Sequence, residues 1–171
     1  MTALPLPAGG ADRRRSLAEA IGTRLTQRGE RLAVNETAAG GLISAALLAV
    51  PGASAWFRGG AVTYDRDSRR QLLGLDADDV RGLAPMSPEM AAVFADRVRE
   101  RLDTAWGLAE LGIAGPAGSP YGGPAGVAVL AVSGPVARSG RLETGHADRE
   151  ANMQTFADAA LELLLDALAE S

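Results

Sequence analysis

The chain has no cysteine, no lysine and a single histidine, His146. These absences exclude disulfides, thiolate zinc sites, thiol nucleophiles, Schiff bases and any lysine general base. A Ser-His-Asp triad could be built only around His146, and no second His or Cys is present to share a metal with it. All 17 basic residues are arginine, against 21 acidic ones, which gives a net charge of -4. That balance argues against a broad electrostatic footprint on nucleic acid or on an anionic membrane. No stretch reaches the ~18 uncharged apolar residues of a membrane span. The opening residues, Met1 to Asp12, lack a cationic region followed by an apolar run, so no targeting segment is read there. The expectation is a cytoplasmic protein that binds neither nucleic acid nor membrane.

What is present suits one globular domain: 171 residues, 47% of them hydrophobic. Leu17, Ile21 and Leu25 recur every four residues, which predicts an amphipathic helix from Ser16 to about Arg28, after a flexible segment over 1–15. Leu32 to Val34 reads as a buried strand, Gly41 to Val50 as a largely buried helix and Trp56 to Tyr64 as a second strand. Ser87-Pro88-Glu89 opens a helix with an N-cap hydroxyl, proline at the first position and an acid in the first turn. Trp106 to Leu111 and Gly126 to Val132 read as strands, the latter buried on both faces. Val136 to Leu142 is expected beside it, antiparallel, and Asp148 to Ala169 as a long closing helix. The alternation points to an α/β class: one three-layer α/β/α domain over 16–171, a mixed sheet with helices on both faces.

Three segments could carry chemistry. Asn35 to Gly41 lies between a strand and a helix, where a turn presents a hydroxyl and free backbone N–H groups that suit anions. Thr37 there is either a ligand contact or nucleophile, or an ordinary cap. Tyr64 to Arg70 follows the second strand. Its Asp65 and Asp67 suit the first turn of a short helix, and Arg66, Arg69 and Arg70 either grip an anion or form a solvated face. Gly112 to Pro124 is a glycine- and proline-rich loop without the lysine of a P-loop. Asp76, Asp78 and Asp79 read as a helical turn, and Arg97, Glu100 and Arg101 as an exposed face. His146 reads as a surface residue.

Together these segments resemble the C-terminal domain of the CinA competence/damage-inducible family, which includes nicotinamide mononucleotide deamidases. The family's Glu-Ser-Cys-Thr-Gly-Gly appears as Glu36-Thr37-Ala38-Ala39-Gly40-Gly41. The likeness continues through Pro51 to Gly60, Val62-Thr63-Tyr64, Gly112-Ile113-Ala114-Gly115-Pro116, Pro124, Gly126 and Asp148-Arg149-Glu150. The resemblance implies a compact α/β/α domain, associated as a homodimer or larger homo-oligomer. It implies hydrolysis of the carboxamide of nicotinamide mononucleotide by a serine that a lysine activates, with no metal or organic cofactor. Carried over, it implies Thr37, Arg69 and Tyr64 as the catalytic positions. Glu36, Ala39, Gly40, Gly41 and Gly112 to Pro116 (with Ile113, Ala114 and Gly115 between) become the ligand-binding ones, for nicotinamide or nicotinate mononucleotide.

The sequence departs from the family at the chemistry itself. Thr37 stands at the serine position, Ala38 and Ala39 at the Cys and Thr positions, Arg69 at the lysine position, and Leu111 where Ser or Thr is usual. Arginine stays charged and accepts no proton at neutral pH. Two readings follow: a family member with lost or altered deamidase activity and a retained nucleotide or anion pocket, and an active amidohydrolase using Thr37, with Glu36 or Asp65 as base.

Overall fold

The computed structural model describes residues 3–7, 9–120 and 122–171. Of the segments singled out above, Tyr121 in the glycine-rich loop and Met1, Thr2 and Ala8 of the opening stretch lie outside these.

A five-stranded mixed sheet forms the middle layer, with strand order β2-β1-β3-β4-β5. The strands are β1 (Leu32–Glu36), β2 (Phe57–Val62), β3 (Trp106–Ile113), β4 (Val127–Ser133) and β5 (Arg138–Glu143). β1 lies between β2 and β3 and is parallel to both, and β4 and β5 complete an antiparallel half. The runs expected to be buried on both faces are so: every residue of β1 and β4 is buried. Strands covered on both faces have no solvent side to alternate toward, hence their continuous aliphatic character.

One face carries α1 (Ala11–Arg28), α2 (Leu42–Leu48) and α5 (Arg149–Glu170), and the other carries α4 (Pro88–Arg101). The short α3 (Arg66–Ser68) continues as a π-helical stretch, Arg69–Leu73. The first core joins Ile21, Leu25, Ile43, Leu108, Leu130, Phe156 and Leu164, and the second joins Leu73, Phe94, Val98, Ala109 and Leu111. Alternate residues of β3 thus feed opposite layers, Leu108 toward α5 and Ala109 and Leu111 toward α4.

Two boundaries differ from expectation. The first helix begins at Ala11, so the flexible segment drawn to residue 15 overlaps it. Apolar periodicity starts only at Leu17; the preceding turn is held by charge, with Arg14 Nε donating to Asp158 Oδ1 at 2.6 Å and Arg13 paired with Glu162. Such long-range pairs leave no periodic trace in the sequence. Strand β3 also runs on through Gly112 and Ile113, which pair with Ala128 and Val127, so the glycine-rich loop starts two residues later. The helix start at Ser87-Pro88-Glu89 is as expected, with Ser87 Oγ accepting from Met90 N–H at 3.1 Å. Among the described residues no helix is long and apolar enough to cross a membrane.

Candidate functional site

The two parallel strand ends and the end of β3 open onto a cavity of about 840 Å³. An open α/β sheet places its ligands there, outside the carboxyl ends of parallel strands where the strand order diverges. Thr37, Tyr64, Arg69 and the run Gly112 to Pro116 all line this cavity, so the three separate sequence segments meet in one place. Leu75, Val80, Met90, Phe94 and Leu111 make its apolar wall.

The strand–turn–helix segment is built around two buried carboxylates. Glu36, fully buried at the end of β1, accepts from the N–H groups of Gly41 (2.9 Å), Ile43 (3.0 Å) and Ser44 (2.8 Å). It also accepts from Ser44 Oγ at 2.6 Å. Glu36 is therefore the cap of α2, and Gly41, at φ 100°, supplies the left-handed turn that brings the helix start back over the strand. The second carboxylate, Glu110 of β3, accepts from Thr37 N–H at 2.8 Å and Ala39 N–H at 3.0 Å, both on Oε2.

In this turn the amides of Thr37, Ala39 and Gly41, which could have received an external anion, are already bonded to the protein's own carboxylates. Glu36, Ala39, Gly40 and Gly41 lie outside the cavity lining, and they shape the turn from within. Thr37 remains at the surface of the cavity, 6% exposed, with its Oγ1 accepting from Gly112 N–H at 3.0 Å. Among the described residues no carboxylate accepts from that hydroxyl. Glu36 is spent on α2. Asp65 Oδ1 accepts from Ser68 N–H at 2.7 Å while Ser68 Oγ receives the Asp65 N–H, a reciprocal cap that starts α3. These bonds hold the Asp65 carboxyl below its usual range. Asp65 is the helix-turn residue expected, and neither it nor Glu36 is placed as a base for Thr37.

Past that cap, Arg66, Arg69 and Arg70 all face the cavity. The Arg69 guanidinium lies 5.4 Å from the Phe94 ring centroid, a cation–π arrangement that anchors it to α4. Opposite, Arg149 opens α5 and donates to Gly115 O at 2.6 Å and to Tyr64 Oη at 3.2 Å, joining the rim's two sides. Beneath it the buried Asn152 donates to Ala114 O at 2.8 Å and to His146 O at 3.0 Å. His146 itself is exposed, as expected. Glu100 and Arg101 are exposed, as expected, while Arg97 is half-buried, and both arginines also bond across the surface. They donate to Gly74 O (2.7 Å) and Leu72 O (3.2 Å), and Arg97 pairs with Asp79, bracing the segment that walls the cavity.

Glu110, Arg149 and Asn152 had been given no role from the sequence. Glu110 did leave a signal: an acid in the middle of an otherwise apolar strand must find donors if the strand is buried, because an unpaired buried carboxylate is costly. Asn152 leaves the same signal on a buried helix face. Gly112 shows how tightly this corner packs, since an added Cβ would stand 2.4 Å from Glu110 Oε1, 2.7 Å from Ala38 Cβ and 2.8 Å from Phe156 Cδ2.

Fold and site together define a three-layer α/β domain with one arginine-rich cavity at the ends of its parallel strands. The chain belongs to the CinA family: the model of the CinA C-terminal domain matches residues 14–168. A CinA-like protein of Cyanothece sp. is 41% identical over 120 residues, 70% of this chain and 29% of that protein. Another, from Anaeromyxobacter sp., is 36% identical over 152 residues, 89% of this chain and 37% of the relative. The chain therefore spans about a third of the length of these curated relatives. Among solved structures, the competence/damage-inducible protein CihA of Agrobacterium tumefaciens superposes with a TM-score of 0.82 at 28% identity, covering 97% of this chain and 98% of that one. A CinA superfamily protein of Klebsiella pneumoniae gives 0.84 at 25% identity, over 92% and 99%.

Proposed function

We propose that this CinA-family domain binds nicotinamide or nicotinate mononucleotide in its cavity and has lost or altered the deamidase reaction. One observation carries the reading: the Thr37 hydroxyl faces a cavity lined by four arginines and two aspartates, and among the described residues no carboxylate accepts from it. On a chain of net charge -4, a cavity lined by Arg66, Arg69, Arg70 and Arg149 against Asp67 and Asp76 suits a phosphate. The apolar wall of Leu75, Phe94 and Leu111 suits a planar ring. Arginine at the lysine position supports binding and cannot take the threonine proton, and a general base is worth roughly 10²–10⁴ in rate.

Purified protein incubated with nicotinamide mononucleotide is expected to release neither ammonia nor nicotinate mononucleotide at a useful rate. Nicotinate mononucleotide at a hundredfold excess over its Kd should raise the Tm by about 5–10 °C. No saturable shift with either mononucleotide overturns the pocket assignment. Turnover that Thr37→Ala abolishes overturns the loss of catalysis and establishes the active alternative, with Thr37 as nucleophile.

A further inference from the structure

Glu110, like Glu36, is a fully buried ionisable group behind the cavity, and binding at the cavity surface gives it no task. Its carboxyl leaves β3 on the α5 side, behind the cavity, and none of its surface reaches solvent. One oxygen, Oε2, receives two main-chain N–H groups from the turn after β1, and the other, Oε1, is buried with no partner. Glu36 on β1 is the charged neighbour that faces it. The turn offers it Ala38 and Ala39, and α5 offers Phe156. Half of a buried carboxyl is thus spent on two amides of one turn, and that turn carries Thr37.

We infer that Glu110 is a positioning residue: its carboxyl clamps the Thr37–Ala39 turn through two backbone N–H groups and so sets where the Thr37 hydroxyl stands at the cavity surface. The geometry closes on itself. Gly112, two residues along the same strand, donates its N–H to Thr37 Oγ1, so β3 holds the threonine by backbone and by side chain together. Gly112 has no Cβ because Glu110 Oε1 occupies that space. The clamp is an internal anion seated on two convergent amides, the chemistry such turns otherwise give to a bound carboxylate or phosphate. An apolar side chain at 110 would leave both amides without an acceptor inside the core.

This inference rests on contacts within the protein and stands or falls separately from the mononucleotide reading, so its test uses no nucleotide. Amide resonances of Thr37 and Ala39 are followed by NMR from pH 5 to 9 in the wild type and in Glu110→Gln. In the wild type both should titrate together with one midpoint near 7, the value to which burial pushes this carboxyl. In Glu110→Gln, which keeps the volume and an acceptor oxygen, both should be flat. The second arm is chemical rescue. In Glu110→Ala the vacated space faces two N–H donors, and 200 mM formate should raise the Tm by about 2–4 °C relative to chloride, leaving the wild type unmoved. Amides with unlike midpoints in the wild type, or that still titrate in Glu110→Gln, overturn the clamp; a wild type flat over this range holds an ionised carboxylate throughout, and the formate arm then decides. Formate acting equally on Glu110→Ala and wild type also overturns the clamp. Should Glu110→Ala fail to fold, the titration alone decides.

Discussion

The cavity has two unlike walls. Behind the wall made by Thr37, Ala38 and residues 111–116, polar groups are held by other groups of the protein: three amides and a hydroxyl on Glu36, two amides on Glu110, one on Thr37. On the facing wall, Arg66, Asp67 and Arg70 are exposed, and the Arg70–Asp67 pair is a loose 3.7 Å contact. The first wall keeps the family's glycines and backbone course although its Ser, Cys and Thr are gone. The second keeps charge although its lysine is gone. The turn's geometry is held internally, by Glu36 and Glu110, whatever the side chain at residue 37 can do.

The two buried carboxylates offer the sharpest way to break that comparison. Glu36→Ala strips an acceptor from three helix-start amides and one hydroxyl, at about 1–3 kcal/mol for each buried donor left unsatisfied. Partial relief by water leaves an expected loss of at least about 3 kcal/mol in urea denaturation, with Glu36→Gln costing less. Glu110 should behave differently because it is only half satisfied. Burial raises its folded pKa to about 7 from 4.5, against the lowering effect of the Ala39 and Thr37 amides, and the Glu36 charge adds to the rise. Between those values the folded state holds the proton more tightly than the unfolded chain. The stabilising contribution is therefore full below about pH 4.5 and is lost as pH rises through 7, a fall of at most about 3 kcal/mol. Stability of the wild type relative to Glu110→Gln should decline over that window. A rising or flat difference would show that Glu110 is ionised at lower pH than its burial implies.

Most of the fold was legible because it is written in local periodicity. The aliphatic run of β4, the four-residue spacing of Leu17, Ile21 and Leu25, and the cap at Ser87 each report on themselves. The meeting of Thr37, Tyr64, Arg69 and Gly112 to Pro116 was also foreseeable, through the resemblance. What stayed hidden were bonds between residues far apart in the chain: Arg14 to Asp158, Glu110 to Thr37, Arg149 to Gly115. Hydrogen-bond donors at a strand–helix turn look available in sequence, since nothing nearby shows which of them a carboxylate 73 positions away has taken. Solvent-facing charge was legible in part. Arg101 is exposed as its spacing suggests, yet it and the half-buried Arg97 also reach across to the carbonyls of Leu72 and Gly74 at the end of the π-helical segment.

The smallest expected effect falls on Arg149, which joins the two walls. Arg149 stands at the start of α5 and donates to Gly115 O on one side and to Tyr64 Oη on the other. Both acceptors are neutral, so the guanidinium keeps its charge for a ligand while it fixes the width of the cavity mouth. Arg149→Ala should lower nicotinate mononucleotide affinity about tenfold, or ~1.4 kcal/mol, while costing the fold no more than about one ordinary hydrogen bond, 0.5–1.5 kcal/mol. Tyr64→Phe removes only the outer, exposed acceptor at 3.2 Å and should change affinity less than Arg149→Ala does. Isothermal titration of both variants separates the two contributions. Equal losses would mean that Arg149 acts through Tyr64, by spacing the walls. A larger loss for Arg149→Ala means that its charge meets the ligand directly.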